Sequence, residues 1–134
     1  MPDLSFDPPA RGAKPNEPFV QSITLMSGGQ AVGFARWACA TDPGQGVVQL
    51  IELSVHPEHR RTGHGGRLME AVTQQAKAFF QQRKGRLRRV WTTLEQKRQV
   101  VGRSFLMQFG FNHVGTVSEL LKDEDLLVYM RTFD

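Results

Sequence analysis

The stretch VVQLIELSVHPEHRRTGHGGRLM, residues 47–69, passes from an apolar segment through a glycine-rich loop into a run with a different period. Residues 47–55 are apolar on both alternating faces, which predicts a central strand. Farther on, Leu68, Met69, Val72, Ala76, Phe79 and Phe80 recur every three or four residues and predict a long amphipathic helix over 63–82. The first turn of a helix presents unpaired N–H groups and the positive end of its dipole, so the loop feeding it is a natural anion site. Gly63, Gly65 and Gly66 remove side chains that would hold a diphosphate away from those donors, and Arg60, Arg61 and Arg67 add positive charge around it.

Working outward, residues 1–18 are rich in proline and poor in apolar periodicity, which predicts an extended or poorly ordered lead-in before a domain spanning 19–134. Residues 19–26 and 31–40 read as two strands joined through Ser27-Gly28-Gly29-Gln30, whose glycines suit a tight hairpin. After the helix, residues 88–94 predict a strand and 96–109 a shorter helix closed by Gly110. Strands are expected again over 111–117 and 126–133. Three strands, a long helix, a strand, a helix and two strands make an α/β or α+β domain, a mixed and partly antiparallel sheet with helices on its faces.

Composition narrows the function. The chain has 134 residues, 40% of them hydrophobic and 22% charged, which suits one globular core. No apolar stretch approaches the roughly 20 residues of a membrane-spanning helix, and the start does not read as a secretory signal, so a cytoplasmic location is expected. A single cysteine, Cys39, excludes an intramolecular disulfide and cysteine-rich metal modules, and it reads as a small buried hydrophobe; no metal is expected. The formal charge of +4 favours anionic partners, a class that holds both nucleic acids and nucleotide cofactors. The basic run at residues 83–89 lacks interleaved aromatics, which argues against a single-strand stacking surface, though it remained a candidate contact for a phosphate. Trp37 and Trp91 read as core.

The loop resembles the acyl-CoA signature of the GNAT superfamily, whose core is Arg or Gln, two residues, Gly, one residue, then Gly or Ala: Arg60, Gly63 and Gly65 fit it. The second family motif, a short helix ending in Gly-Phe, is matched by residues 105–111 with Gly110 and Phe111. A dinucleotide-binding loop would need a third glycine at Leu68, and a P-loop would need Lys and Ser or Thr after its last glycine; neither is present.

The resemblance implies a GNAT-like sheet and an N-acetyltransferase that moves an acetyl group from acetyl-CoA to a primary amine by direct attack in a ternary complex. It implies cofactor contacts from Leu53, Ser54 and Val55 at the end of the central strand and from Arg60, Arg61, Thr62, Gly63, His64, Gly65 and Gly66 in the loop. Val55 N–H is the implied donor to the thioester carbonyl. The chain departs from the family at Leu106, where many members carry a tyrosine acid, and at Gln99, where many carry Asn. The family's usual first two helices are missing before residue 19, which implies an open acceptor cleft or one completed by a second subunit, hence a homodimer.

Glu52 is the candidate base, because a carboxylate in a nearly continuous apolar strand should be desolvated and shifted toward a useful pKa. His56 is second, ahead of His59, His64 and His113. Asp123, Glu124 and Asp125 form an acidic tip that would favour a cationic amine. Two other classes stay open at this point: a GNAT-like acyl-CoA binder without turnover, consistent with Leu106, and a basic nucleic-acid-binding module.

Overall fold

The computed structural model describes residues 4–5, 19–59 and 63–134, with side chains over 19–59, 63–97 and 102–134. Strand β2 (Phe19–Ser27) turns back into β3 (Gln30–Cys39) through Gly28 and Gly29. Both glycines have positive φ, 57° and 81°, as a two-residue hairpin loop with the strands' own twist requires. Strand β4 (Val47–Val55) follows, then α1 (His64–Gln81), β5 (Arg89–Glu95), α2 (Gln99–Gln108), β6 (Asn112–Leu121) and β7 (Glu124–Thr132). Leu4–Ser5 forms a two-residue strand, β1, paired with Met26 and Ser27; the rest of the expected lead-in lies outside the described residues. Among the described residues no helix precedes β2.

Among the described residues seven strands make one sheet in the order β1-β2-β3-β4-β5-β7-β6. Every pairing is antiparallel except that of β4 with β5, which α1 connects as a crossover. The mixed α+β sheet expected from the order of elements is therefore present.

One face of the sheet and the apolar stripe of α1 form the core. Ile23, Leu25, Ala35, Trp37, Val48, Leu50 and Val90 join Leu68, Val72, Ala76 and Phe80 in one buried cluster. Trp37 is 1% exposed, and its indole N–H donates to Gln75 Oε1 at 3.1 Å, so the ring is buried without stranding its polar edge. Trp91 is only half-buried. Cys39 is buried as expected, and burial raises its thiol pKa. At the end of α2, Gly110 takes φ 86°, Phe111 N–H returns to Leu106 O at 3.0 Å, and the Phe111 ring is 1% exposed. The Gly-Phe pair is a left-handed helix cap followed by an anchor in the core.

Candidate functional site

The site begins with an irregularity in β4. Opposite β3, Arg36 pairs with Glu52 but Trp37 pairs with Leu50, so Ile51 is an extra residue in a bulge. A bulge moves every following side chain to the other face. Leu53 and Val55 therefore join the α1 face, where both pack against the core, while Glu52 turns out to solvent and is exposed. The expected desolvation of Glu52 is overturned: it rested on a nearly continuous apolar strand, and the bulge turns Glu52 to the exposed face of that strand.

The same bulge lies where β4 and β5 part. Their parallel ladder covers only Val47, Val48 and Gln49 against Arg89, Val90 and Trp91. At the vertex, Thr92 Oγ1 donates to Leu50 O at 2.7 Å in a buried setting, a side-chain bond just beyond the last ladder pair. Beyond it opens a cleft of about 340 Å³, a size suited to a small-molecule arm. Its walls are Leu50 to Leu53 in order on β4, Thr92 to Glu95 on β5, Gly102, Phe105 and Leu106 on α2, and Leu126 on β7. Thr92→Val keeps the shape but strands the buried Leu50 carbonyl, and should cost about 1–3 kcal/mol in urea unfolding. An unchanged midpoint would mean the bond contributes nothing.

Main-chain direction follows from the same register. His56 N–H donates to Val32 O at 2.8 Å. By alternation Glu52 and Ser54 turn their main chain toward β3, whereas Leu53 and Val55 turn theirs toward the side from which β5 has drawn away. Of the three strand residues expected to meet a cofactor, Ser54 thus faces the wrong way with its main chain.

The loop delivers the chain to α1 at Gly63, whose φ of 84° places it in the left-handed region. Among the described residues no side chain caps this helix end, and a Cβ added at Gly63 would meet none of them within 4 Å. Among the described residues the amides of the first turn thus lack a capping side chain, the condition an anion needs. These residues fit a diphosphate. Arg60, Arg61 and Thr62 lie outside the described residues.

Two loop residues act differently from expectation. A Cβ at Gly65 would lie 3.0 Å from Phe105 Cε2, and one at Gly66 would lie 3.2 Å from Phe109 Cζ. Their missing side chains make room for the α2 rings, which hold α2 against the start of α1, more than for a phosphate. On its other flank Gly102 brings α2 so close to β5 that a Cβ would lie 2.5 Å from Leu94 Cδ1. Helix α2 therefore forms the third wall of the cleft.

His64 is 6% exposed, so its imidazole is turned into the protein and only its main chain remains for an anion. Its Nδ1 is buried without a hydrogen-bond partner among the described residues. Burial first, then Arg67 and His59, lowers its pKa below the ordinary 6.5. The unfolded chain then binds the extra proton more readily than the folded one. Stability should be complete above pH 6.5 and decline as pH falls through that value toward the lower folded pKa. His64→Leu should flatten that decline in urea midpoints measured across the range; an equal slope in both proteins would remove His64 as its source.

The acidic tip and the first arginine of the basic run are engaged in structure. Glu124 Oε2 accepts from Lys97 N–H at 3.1 Å, Asp125 Oδ1 accepts from Glu119 N–H at 2.9 Å, and Asp125 N–H donates to Gln96 Oε1 at 3.3 Å. The tip thus fastens the β6–β7 hairpin to the turn before α2. In the basic run, Arg83 donates from Nη1 to Phe79 O at 2.8 Å and lies 3.7 Å over the Phe79 ring, closing the C-terminal end of α1. That end is about 27 Å along the helix from its first amides, by 18 residues at ~1.5 Å each. The run is too far away to share one cofactor with them.

Sequence reasoning missed Glu95, a second carboxylate on the cleft wall, and Thr92 at its vertex. Neither belongs to a motif; only the register of β5 against β4 and β7 brings them there. Among the described residues no cluster of His, Cys, Asp and Glu is arranged to hold a metal, and no helix is long and apolar enough to cross a membrane.

A strand that parts from its parallel neighbour and leads into a helix start with no capping side chain among the described residues sets helix amides and a cleft side by side. A model of the acetyltransferase (GNAT) domain matches residues 20–113, and the chain belongs to this family. Mycothiol acetyltransferase of Saccharopolyspora erythraea is 47% identical over 54 residues, 40% of this chain and 18% of that protein. The matched stretch thus spans less than a fifth of that relative's length. Among solved structures, a GNAT family acetyltransferase from Elizabethkingia anophelis with acetyl-CoA bound has a TM-score of 0.69 at 16% identity, covering 85% of this chain and 76% of that one. The ribosomal-protein-S18-alanine N-acetyltransferase of Escherichia coli has a TM-score of 0.67 at 17% identity, covering 84% and 68%. At such identities these two likenesses concern the fold.

Proposed function

We propose that this GNAT protein is an N-acetyltransferase that transfers an acetyl group from acetyl-CoA to a primary amine within a ternary complex. The observation that carries the reading is the start of α1, uncapped among the described residues, one loop after a strand whose neighbour has parted from it. The acetyl-CoA in the E. anophelis neighbour and the acetyltransferase names of the relatives support it.

Acetyl-CoA supplies an activated acyl group on a thiolate that can leave near neutral pH. The chain's own residues bind and orient. Amides of Gly63, His64, Gly65 and Gly66 hold the diphosphate, with Arg60, Arg61 and Thr62 beside them. Leu53 and Val55 direct main-chain groups toward the arm, Val55 N–H toward the thioester carbonyl. Glu52, exposed on the cleft rim, accepts a proton from the ammonium directly or through water, leaving a neutral amine to attack. With Glu95 it gives the rim two carboxylates, which favours a cationic acceptor.

Leu106, where the family resemblance implies a tyrosine acid, favours one second reading, an acyl-CoA binder without turnover. Thermal shift with acetyl-CoA and thiol release with an amine panel separate the two. A stabilised melt with thiol release supports transfer, and a stabilised melt without release from any amine, peptide or protein supports the binder.

A homodimer that completes the open acceptor side is part of the proposal. Edge strand β6 offers a second copy the exposed Val114, Val117 and Leu120, 53%, 42% and 59% exposed. A monomeric mass by light scattering at micromolar concentration would oppose it. The single cysteine and ordinary globular composition support a cytoplasmic placement.

A further inference from the structure

The cleft has a polarity gradient that its motifs do not foretell. Its least exposed residues, Leu50 at 3%, Leu106 at 6% and Thr92 at 7%, form the floor, and Leu53, Leu94 and Phe105 pack half-buried above them. The one hydroxyl on that floor already donates to Leu50 O, so its hydrogen is committed within the protein. The exposed lining residues Ile51, Glu52 and Glu95 form the rim. Charge therefore stands at the mouth and hydrocarbon at the bottom.

Resting on the reading that the site binds acyl-CoA, we propose that the cleft floor takes acyl groups longer than acetyl, straight chains of roughly three to six carbons. Leu106 is the residue that determines this specificity. A tyrosine at 106 would set a hydroxyl and added bulk at the floor, whereas leucine leaves it apolar. An acetyl group contributes a single methyl to that surface. Each further methylene that leaves water for such a surface strengthens binding about fourfold.

An apolar flank on the acceptor amine is another source of hydrocarbon for the same floor. Binding measured without any acceptor separates the two, because only the acyl chain is then present.

The test is calorimetric titration of the full chain with CoA, acetyl-CoA, butyryl-CoA and hexanoyl-CoA. Butyryl-CoA should bind about fifteenfold tighter than acetyl-CoA, from two methylenes at about fourfold each. Leu106→Tyr should bring the butyryl-to-acetyl ratio to one or below, and Leu106→Ala should move the preference toward hexanoyl. Equal or weaker binding of butyryl-CoA by the unmodified protein, with acetyl-CoA still bound, overturns the inference and leaves the cofactor reading standing. Failure of CoA and every thioester to bind overturns both.

Discussion

Gly65→Val is expected to weaken acetyl-CoA binding about ten- to a hundredfold. The position of a Cβ at residue 65 lies 3.0 and 3.3 Å from two atoms of the Phe105 ring and 3.9 Å from Val55 Cγ2. Valine adds two methyl groups to that Cβ, so it must displace either Phe105 and α2 or the first turn of α1. Overpacking of this kind costs about 1–3 kcal/mol. Either displacement changes the cleft wall or the helix amides, so the loss should be in affinity, read by calorimetry, with a melt lowered only by the overpacking. A variant that binds acetyl-CoA as tightly as the unmodified protein would mean that the Phe105 contact plays no part in forming the site.

Glu52→Gln is expected to lower kcat about 10²- to 10⁴-fold, the range for loss of a positioned base, while acetyl-CoA affinity stays unchanged. Glutamine keeps the size and exposure of the side chain and removes only the ability to take a proton. The bulge at Ile51 faces Glu52 away from the core, at the rim beside the cleft rather than beneath α1. Glu95→Gln is the natural comparison, since Glu95 lines the opposite strand. If the loss follows Glu95 and spares Glu52, the proton is taken from the β5 side and Glu52 leaves the mechanism.

The main elements were legible because their signals are local. Leu68, Met69, Val72, Ala76, Phe79 and Phe80 announced α1 and its buried face, all six of them buried in the structure. Gly28 and Gly29 announced a hairpin, and Gly110 with Phe111 announced the end of α2. The bulge was not legible. It depends on how β4 registers against β3, with Arg36 opposite Glu52 and Trp37 opposite Leu50, and no residue in 47–55 signals it. Missing it made Glu52 read as desolvated, whereas it is exposed.

The acidic tip was likewise visible as charge but not as structure. Its bonds to Lys97, Gln96 and Glu119 join segments up to 29 residues apart. Gly65 was read as space for a ligand because a loop sequence does not say which helix will pack on it. The cleft is in part a consequence of such distant meetings: β4 and β5 part, and α2 is held at the gap by Phe105, Phe109 and Gly102.

The account stands on an anion held by main-chain amides at the start of α1, and the amide chemical-shift map of isotope-labelled protein titrated with CoA tests it most directly. The account predicts saturable shifts largest at residues 63–67, followed by those at Leu53 and Val55. Saturable binding that leaves those amides unmoved and perturbs the basic end of α1 around Arg83 instead would contradict it.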